Sequence, residues 1–211
     1  MRWKAVAWDI DGTLVDSEDL HHRALVHTCA TYGLDLSALS DRAFEGVHML
    51  DVWSSLRSRL PRGLDRDVWL AAIDRLYIEQ ANTVVVSPHA RETIRALHAR
   101  GVAQACVSNS SRRVVDANIA ALGLGGLIAF TVSLDDVVAG KPDPEPFLQA
   151  TKRLGLTGAQ ALAVEDSAAG AASAQAAGLF VVRYDPAGQR AGPGDLWLGD
   201  LSEILGLFEP L

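Results

Sequence analysis

Two aspartates near the start of the chain have the spacing and setting of a catalytic pair. Asp9 and Asp11 follow an apolar run, residues 5–8, that is short enough to be a buried parallel strand. Side chains two residues apart on a continuing strand lie on one face, and Gly12 then allows a sharp turn. An Asp-Gly turn without chemistry is the alternative for these residues alone. Because open α/β sheets bind ligands beyond the carboxyl ends of their strands, the pair is a candidate site.

Polar residues also follow two later predicted strands. Ser108 ends one strand, and Glu165 and Asp166 end another. Lys141, one of only three lysines in the chain, lies in a Gly-Lys-Pro loop before a predicted helix. The carboxyl ends of parallel strands meet at one edge of a sheet, so these groups should converge. Carboxylate oxygens suit Mg2+, whereas a hydroxyl and an ammonium group suit a phosphate.

The elements that must position these residues alternate along the chain. We predict strands at residues 4–10, 102–107, 130–133, 161–164 and 179–182, with an edge strand at 196–198. Helices are predicted at residues 88–100, 111–122, 144–154, 167–178 and 201–208. This alternation predicts an α/β fold, a doubly wound, Rossmann-like parallel sheet with helices on both faces.

A long helical stretch interrupts this alternation after the first strand. Helices are predicted at residues 18–33, 39–46, 49–60 and 65–82. That is too much chain for a single crossover between strands. We therefore predict a small α-helical domain, residues 17–84, inserted into an α/β core formed by residues 1–16 and 85–211. Its hinges should fall near residues 15–17 and 84–86.

Composition limits the classes of function. The 211 residues are 49% hydrophobic, which suits a full core, and the net charge of -7 argues against a nucleic-acid-binding surface. No apolar run is long enough to cross a membrane, and Cys29 and Cys106 are expected to be buried thiols of a reducing compartment. We expect a cytoplasmic monomer that acts on a small molecule, with neither nucleic acid nor membrane as partner.

Taken in order, the motifs resemble those of the haloacid dehalogenase-like hydrolases. Residues 9–17, DIDGTLVDS, resemble the first motif of that family, and residues 108–110 resemble the second. Residues 140–142 resemble the third, and residues 165–167, followed by Gly170 and by residues 177–178, resemble the fourth. The predicted helical insertion resembles the small cap domain of the family. The subgroup that the chain resembles most contains β-phosphoglucomutase and the sugar-phosphate and phosphoglycolate phosphatases.

The resemblance implies a Mg2+-dependent phosphatase acting on a small phosphorylated metabolite. Asp9 would form an aspartyl-phosphate, and Asp11 would protonate the leaving oxygen and then activate water. The other implied catalytic residues are Ser108 and Lys141. The implied metal ligands are Asp9, Asp11 (through its backbone carbonyl), Glu165 and Asp166. The implied phosphate-binding residues are Gly12, His21, Ser108, Asn109, Ser110 and Lys141.

A β-phosphoglucomutase-like phosphosugar mutase is the main alternative, because it forms the same intermediate. A mutase needs a cation in the cap to hold the phosphate that is not being transferred. In the mutase an arginine follows a Gly-Val pair of the cap by two positions, whereas here residues 46–47 are followed by His48 and Met49. Four arginines of the insertion keep the alternative open: Arg23, Arg42, Arg57 and Arg75.

Three other functions are less compatible with the sequence. A dehalogenase of this family would not keep a second aspartate such as Asp11. A phosphonate hydrolase would need a lysine in the cap, and the chain has no lysine between Lys4 and Lys141. A non-enzymatic binding module would not need all four motifs intact.

Overall fold

The computed structural model describes residues 3–40, 43–44 and 47–208. The chain divides into two compact units: Met1–Asp16 together with Val85–Leu211, and Ser17–Val84. We call these the α/β unit and the helical unit. Within the described ranges, no helix combines the length and the apolar character needed to cross a membrane.

Six parallel strands form the sheet of the α/β unit. The strands of the chain are β1 (Ala5–Trp8), β2 (Val15–Asp16), β3 (Val85–Val86), β4 (Ala103–Val107), β5 (Phe130–Val132), β6 (Ala161–Glu165), β7 (Phe180–Tyr184) and β8 (Leu196–Leu198). The sheet has the order β5-β4-β1-β6-β7-β8, which places β1 at the position where the strand order reverses. The doubly wound parallel sheet predicted from the sequence is therefore confirmed.

Helices cover both faces of this sheet. The helices of the chain are α1 (Glu18–Thr31), α2 (Met49–Leu56), α3 (Arg66–Glu79), α4 (Ala90–Ala99), α5 (Arg112–Leu122), α6 (Glu145–Arg153) and α7 (Ala168–Ala176). Alternate residues of β1, Ala5 and Ala7, belong to a buried cluster with residues of α6 and α7. On the other side, the Trp8 indole donates to the Gln104 side chain, which in turn donates to a carbonyl of α4. The final predicted helix is instead a 3-10 helix, Leu201–Phe208.

The described residues of the helical unit include three of the four helices predicted there. Trp69, Ile73 and Tyr77 form the buried face of α3, which packs against α1. The predicted helix at residues 39–46 is wrong for its described residues, because 39–40 and 43–44 form turns or irregular chain. The backbone of Ser37 donates to the Asp35 carboxylate, a local bond that favours a turn over a helix. Arg42 and Gly46 lie outside the described residues.

A short antiparallel ribbon, β2 with β3, was missed by the sequence analysis. Val15 pairs with Val86, and Asp16 pairs with Val85. The backbone of Ser87 extends the pairing by donating to the carbonyl of Leu14, at 3.0 Å. Each strand has only two residues, too few for an alternation of apolar and polar positions to be recognised. The ribbon joins the two chain segments at which we predicted the hinges.

Candidate active site

Lys141 lies at the centre of a buried ionic cluster at the carboxyl edge of the sheet. Its ammonium group donates to Asp9 Oδ1 at 2.6 Å, to Glu165 Oε1 at 2.5 Å and to the carbonyl of Val107 at 2.7 Å. Burial lowers the pKa of Lys141, but the two adjacent carboxylates outweigh that effect and raise the pKa overall. The side chain is therefore an ammonium ion at neutral pH, fixed by three acceptors.

Asp9 shares this edge with two further carboxylates, Glu165 and Asp166. The three residues offer oxygen atoms that all lie within 4.8 Å of one another. Burial and the charge of Glu165 raise the pKa of Asp9 to about 8, although Lys141 acts in the opposite direction. Asp9 Oδ2 is buried and has no hydrogen-bond partner among the described residues. An unpaired buried carboxylate oxygen within a group of carboxylates fits a hard divalent cation such as Mg2+.

Two glycines allow the backbone to approach these carboxylates closely. A Cβ atom on Gly170 would lie 2.0 Å from Glu165 Oε2, and one on Gly12 would lie 2.2 Å from Asp166 Oδ2. Gly12 also has a positive φ of 81°, which side-chain-bearing residues rarely adopt. Ser167 caps α7 by accepting from the backbone of Gly170 and donates to Glu165 Oε2 at 3.1 Å. These residues leave both acidic side chains little freedom to move.

Asp11 has a different set of partners from Asp9. Its Oδ2 accepts from the hydroxyl groups of Ser108, at 3.0 Å, and Ser110, at 2.9 Å. Its Oδ1 accepts from Asn118 Nδ2 at 2.9 Å. The expectation that the two aspartates share one face assumed a continuing strand, but β1 ends at Trp8 and the chain turns after Ile10. The predicted pair thus divides between a lysine cluster and a serine cluster.

The side chain of Asn109 fixes the loop that carries Lys141. Asn109 Nδ2 donates to the carbonyl of Lys141 at 2.9 Å, and the backbone N–H of Lys141 donates to Asn109 Oδ1 at 2.7 Å. A Cβ atom on Gly140 would lie 2.7 Å from the same Oδ1. The resemblance also implies that the backbone amides of Asn109 and Ser110 bind phosphate; that of Ser110 donates to Ser108 Oγ at 2.9 Å. The Asn109 side chain is therefore engaged with the Lys141 loop.

His21 belongs to the helical unit. It lies on α1, where its ring contacts that of Tyr77 with centroids 4.3 Å apart and planes inclined by 30°. In the same unit, the His48 side chain caps α2 by accepting from the backbone N–H of Leu50, and its burial lowers its pKa. The phosphate-binding role assigned to His21 from the family resemblance stays a prediction.

Two residues of the site were not identified from the sequence, Asn118 and Arg183. Asn118 is a fully buried polar residue on the otherwise apolar buried face of α5. Arg183 lies in the buried strand β7, where its guanidinium donates to the backbone carbonyls of Asp166 and Pro193. Each is a polar residue within a stretch that is otherwise apolar, which suggests a buried polar contact. The sequence does not indicate which residue is the partner.

Comparison with known proteins agrees with this fold. Residues 3–178 match the family model described as haloacid dehalogenase-like hydrolase. The chain belongs to this family, as its motifs suggested. The predicted enzyme class, a phosphoric monoester hydrolase of the family, is confirmed at that level, because related proteins are themselves named phosphatases.

Two relatives and one solved structure illustrate the similarity. Protein CbbY of Rhodobacter capsulatus is 33% identical over 86% of this chain and 85% of its own length. Hexitol phosphatase A of Escherichia coli is 31% identical, over 100% of this chain and 97% of its own. The crystal structure of CbbY from Rhodobacter sphaeroides in complex with phosphate has a TM-score of 0.86 at 23% identity, covering 96% of each chain. At that identity the structural likeness supports the fold alone.

Proposed function

We propose that this protein is a Mg2+-dependent phosphatase that hydrolyses a small phosphomonoester through an aspartyl-phosphate on Asp9. The observation that carries the proposal is the environment of that residue. One oxygen of Asp9 is bound to the Lys141 ammonium, and the other is buried beside Glu165 and Asp166 with no hydrogen-bond partner in the part of the chain that the structure describes. This environment, at the carboxyl edge of the sheet, supports the assignment of Asp9 as the nucleophile that attacks phosphorus.

Charge repulsion is the main obstacle to this attack. Two unit negative charges about 3.5 Å apart repel by roughly 5 kcal/mol at an effective dielectric constant of about 20. Lys141 supplies one compensating positive charge, and bound Mg2+ would supply the additional positive charge that a phosphate dianion requires. Asp9, Asp166 and the backbone carbonyl of Asp11 would hold the ion. Glu165 fits a supporting role better, since its two oxygens already accept from Lys141 and Ser167.

The chain offers a residue for each remaining step. A carboxylate oxygen of Asp9 attacks phosphorus while the bond to the leaving oxygen breaks, and Asp11 gives that oxygen its proton. Water then attacks the phosphorus of the aspartyl-phosphate and gives a proton to Asp11 while the bond from phosphorus to Asp9 breaks. Inorganic phosphate leaves, and both carboxyl groups return to their initial states. Ser108 and Ser110 carry hydroxyl groups that can bind the phosphoryl oxygens.

We assign substrate selection to the helical unit, acting as a cap. The groups that we propose to react with the phosphate lie in the α/β unit, and we assign recognition of the alcohol to the other unit. One relative is named a hexitol phosphatase, which supports a phosphorylated sugar or sugar alcohol as the substrate class. The first test is phosphate release from 4-nitrophenyl phosphate and from a panel of phosphorylated metabolites. We expect release with Mg2+ and none in chelator; full activity in chelator would contradict the metal assignment.

The same panel separates a phosphatase from a phosphosugar mutase. Where a mutase has an arginine in its cap, this chain has Met49, the first residue of α2. One candidate substitute, Arg57, already donates to the carbonyl of Pro61 and lies over the Trp53 ring. We expect net release of inorganic phosphate and no conversion of a hexose 1-phosphate to its 6-phosphate. Isomerisation primed by a sugar bisphosphate, and faster than phosphate release, would favour the mutase.

A further inference from the structure

The donors to the carboxylate of Asp11 include Ser108, Ser110 and Asn118, and substrate binding should affect these three bonds differently. Ser108 and Ser110 donate to Oδ2, and their hydroxyl groups are also those proposed to bind the phosphoryl group. Asn118 donates to Oδ1 from α5, a helix that carries none of the proposed phosphate-binding groups. When a phosphoryl group takes the two hydroxyls, Asn118 is the donor of these three that remains on Asp11.

The burial of Asn118 shows that this contact is specific. The residue is 0% exposed and lies on the face of α5 that also buries Val114, Val115 and Leu122. A buried amide without hydrogen bonds costs free energy, whereas an apolar residue at this position would not. The amide therefore needs a polar partner at this depth, and Asp11 Oδ1 provides one at 2.9 Å.

We propose that Asn118 is a positioning residue that holds Asp11 Oδ1 and so makes Oδ2 the oxygen that carries the catalytic proton. This inference rests on the proposed phosphatase function. As the bond from phosphorus to the leaving oxygen breaks, the proton on Oδ2 moves to that oxygen and the alcohol departs. Water later attacks the phosphorus, its proton moves to Oδ2, and the bond from phosphorus to Asp9 breaks. Asn118 takes part in neither transfer and fixes the direction in which Oδ2 points.

The test measures dependence on the leaving group, which a merely structural role would not change. We compare kcat/KM for an alkyl phosphate, whose leaving oxygen needs a proton, with kcat/KM for 4-nitrophenyl phosphate, whose leaving oxygen does not. In Asn118→Leu we expect about a 10²-fold loss for the alkyl ester, the scale of a misplaced catalytic group, and little loss for the aryl ester. Asp11→Asn should show the same pattern, and adding Asn118→Leu to it should not change the ratio further.

Two further variants keep the test decisive. Asn118→Ala removes the donor without adding bulk, and thermal unfolding confirms the fold of each protein. Thr151→Val is the control for removing a buried polar group, since the Thr151 hydroxyl donates to carbonyls of its own helix; its ratio should equal that of the wild type.

The possible outcomes separate this inference from the function on which it rests. An unchanged ratio in a folded Asn118 variant, together with a changed ratio in Asp11→Asn, overturns the positioning role and leaves the phosphatase intact. An unchanged ratio in Asp11→Asn overturns both assignments. If neither Asn118 variant folds, the residue acts in stability and the positioning role is likewise overturned.

Discussion

The two units of this chain differ in what they bury. The α/β unit buries four charged residues: Asp9, Lys141, Glu165 and Arg183. In the described part of the helical unit no charged side chain is buried, and the core there consists of residues such as Trp69 and Tyr77. Burying a charge is expensive unless it is paired and hydrogen-bonded, so a chain keeps such groups where they act. This difference supports our assignment of the catalytic groups to the α/β unit.

The largest expected difference between the units is in catalysis. Asp9→Asn should abolish turnover while leaving the fold intact, because an amide cannot form the acyl phosphate. Asp67→Asn, an exposed aspartate on α3, is the matched change in the helical unit and should leave turnover unchanged. Phosphate release and circular dichroism of the two variants provide the measurement. Near-normal turnover in a folded Asp9→Asn protein would exclude the covalent mechanism.

The second expected difference between the units is the loss in free energy of unfolding when an ion pair is broken. Lys141→Met would leave Asp9 and Glu165 facing each other in a buried site. We expect loss of turnover and a decrease of roughly 3–5 kcal/mol in the free energy of unfolding. Urea unfolding measures this decrease, and Arg66→Gln provides the control, since Arg66 and Asp67 form an exposed pair in the helical unit. Equal unfolding midpoints for both variants would show that the buried ion pair contributes no more to stability than the exposed pair.

Gly170 tests how closely the α/β unit is packed around its acidic groups. Alanine normally favours a helix over glycine by about 1 kcal/mol. At this position, however, the new Cβ would lie 2.0 Å from Glu165 Oε2, so Gly170→Ala should lower the melting temperature and weaken Mg2+ binding. Gly206→Ala is the control, because nothing lies within 4 Å of its Cβ position. Calorimetry of Mg2+ binding separates the two effects, and an unchanged affinity would show that Glu165 can shift without consequence.

Much of the α/β unit was predictable because its physical signals are local. The strands of its parallel sheet are short apolar runs bounded by glycine or by polar residues, and their ends located Asp9, Ser108, Glu165 and Asp166. The division of roles between Asp9 and Asp11 was not predictable in this way. It depends on where β1 ends and on the turn that follows. The two-residue spacing of Asp9 and Asp11 in the sequence does not indicate either of these.

Other features depend on contacts between distant parts of the chain. Asn118 is 107 positions from Asp11, and nothing in the sequence of α5 indicates its partner. The bond between the Asn109 side chain and the backbone of Lys141, 32 positions away, was likewise not indicated by the sequence. The predicted helix at residues 39–46 was wrong for its described residues, where the backbone N–H of Ala43 donates to the carbonyl of Ser40 in an isolated turn.

The raised pKa of Asp9 makes the stability of the metal-free protein depend on pH. Burial and Glu165 raise this pKa from an ordinary 3.8 to about 8 in the folded state. Between these values the folded protein binds more protons than the unfolded chain, so its stability should fall as pH rises towards 8. We expect the melting temperature in chelator to decrease from pH 5 to pH 8, and Asp9→Asn to reduce that decrease. An equal decrease in both proteins would assign the effect to other groups.

The smallest expected effect tests whether the helical unit contributes to recognition through His21. A single hydrogen bond contributes about 0.5–1.5 kcal/mol, so His21→Ala should raise KM by a factor of roughly 2 to 10 with little change in kcat. The neighbouring His22→Ala is the matched control and should have no effect. Because the His21 ring contacts Tyr77, His21→Phe is needed to separate binding from packing. Equal increases in KM for His21→Phe and His21→Ala would support phosphate binding. Recovery of the wild-type KM by phenylalanine would mean that His21 only packs, and that another residue of the helical unit must recognise the substrate.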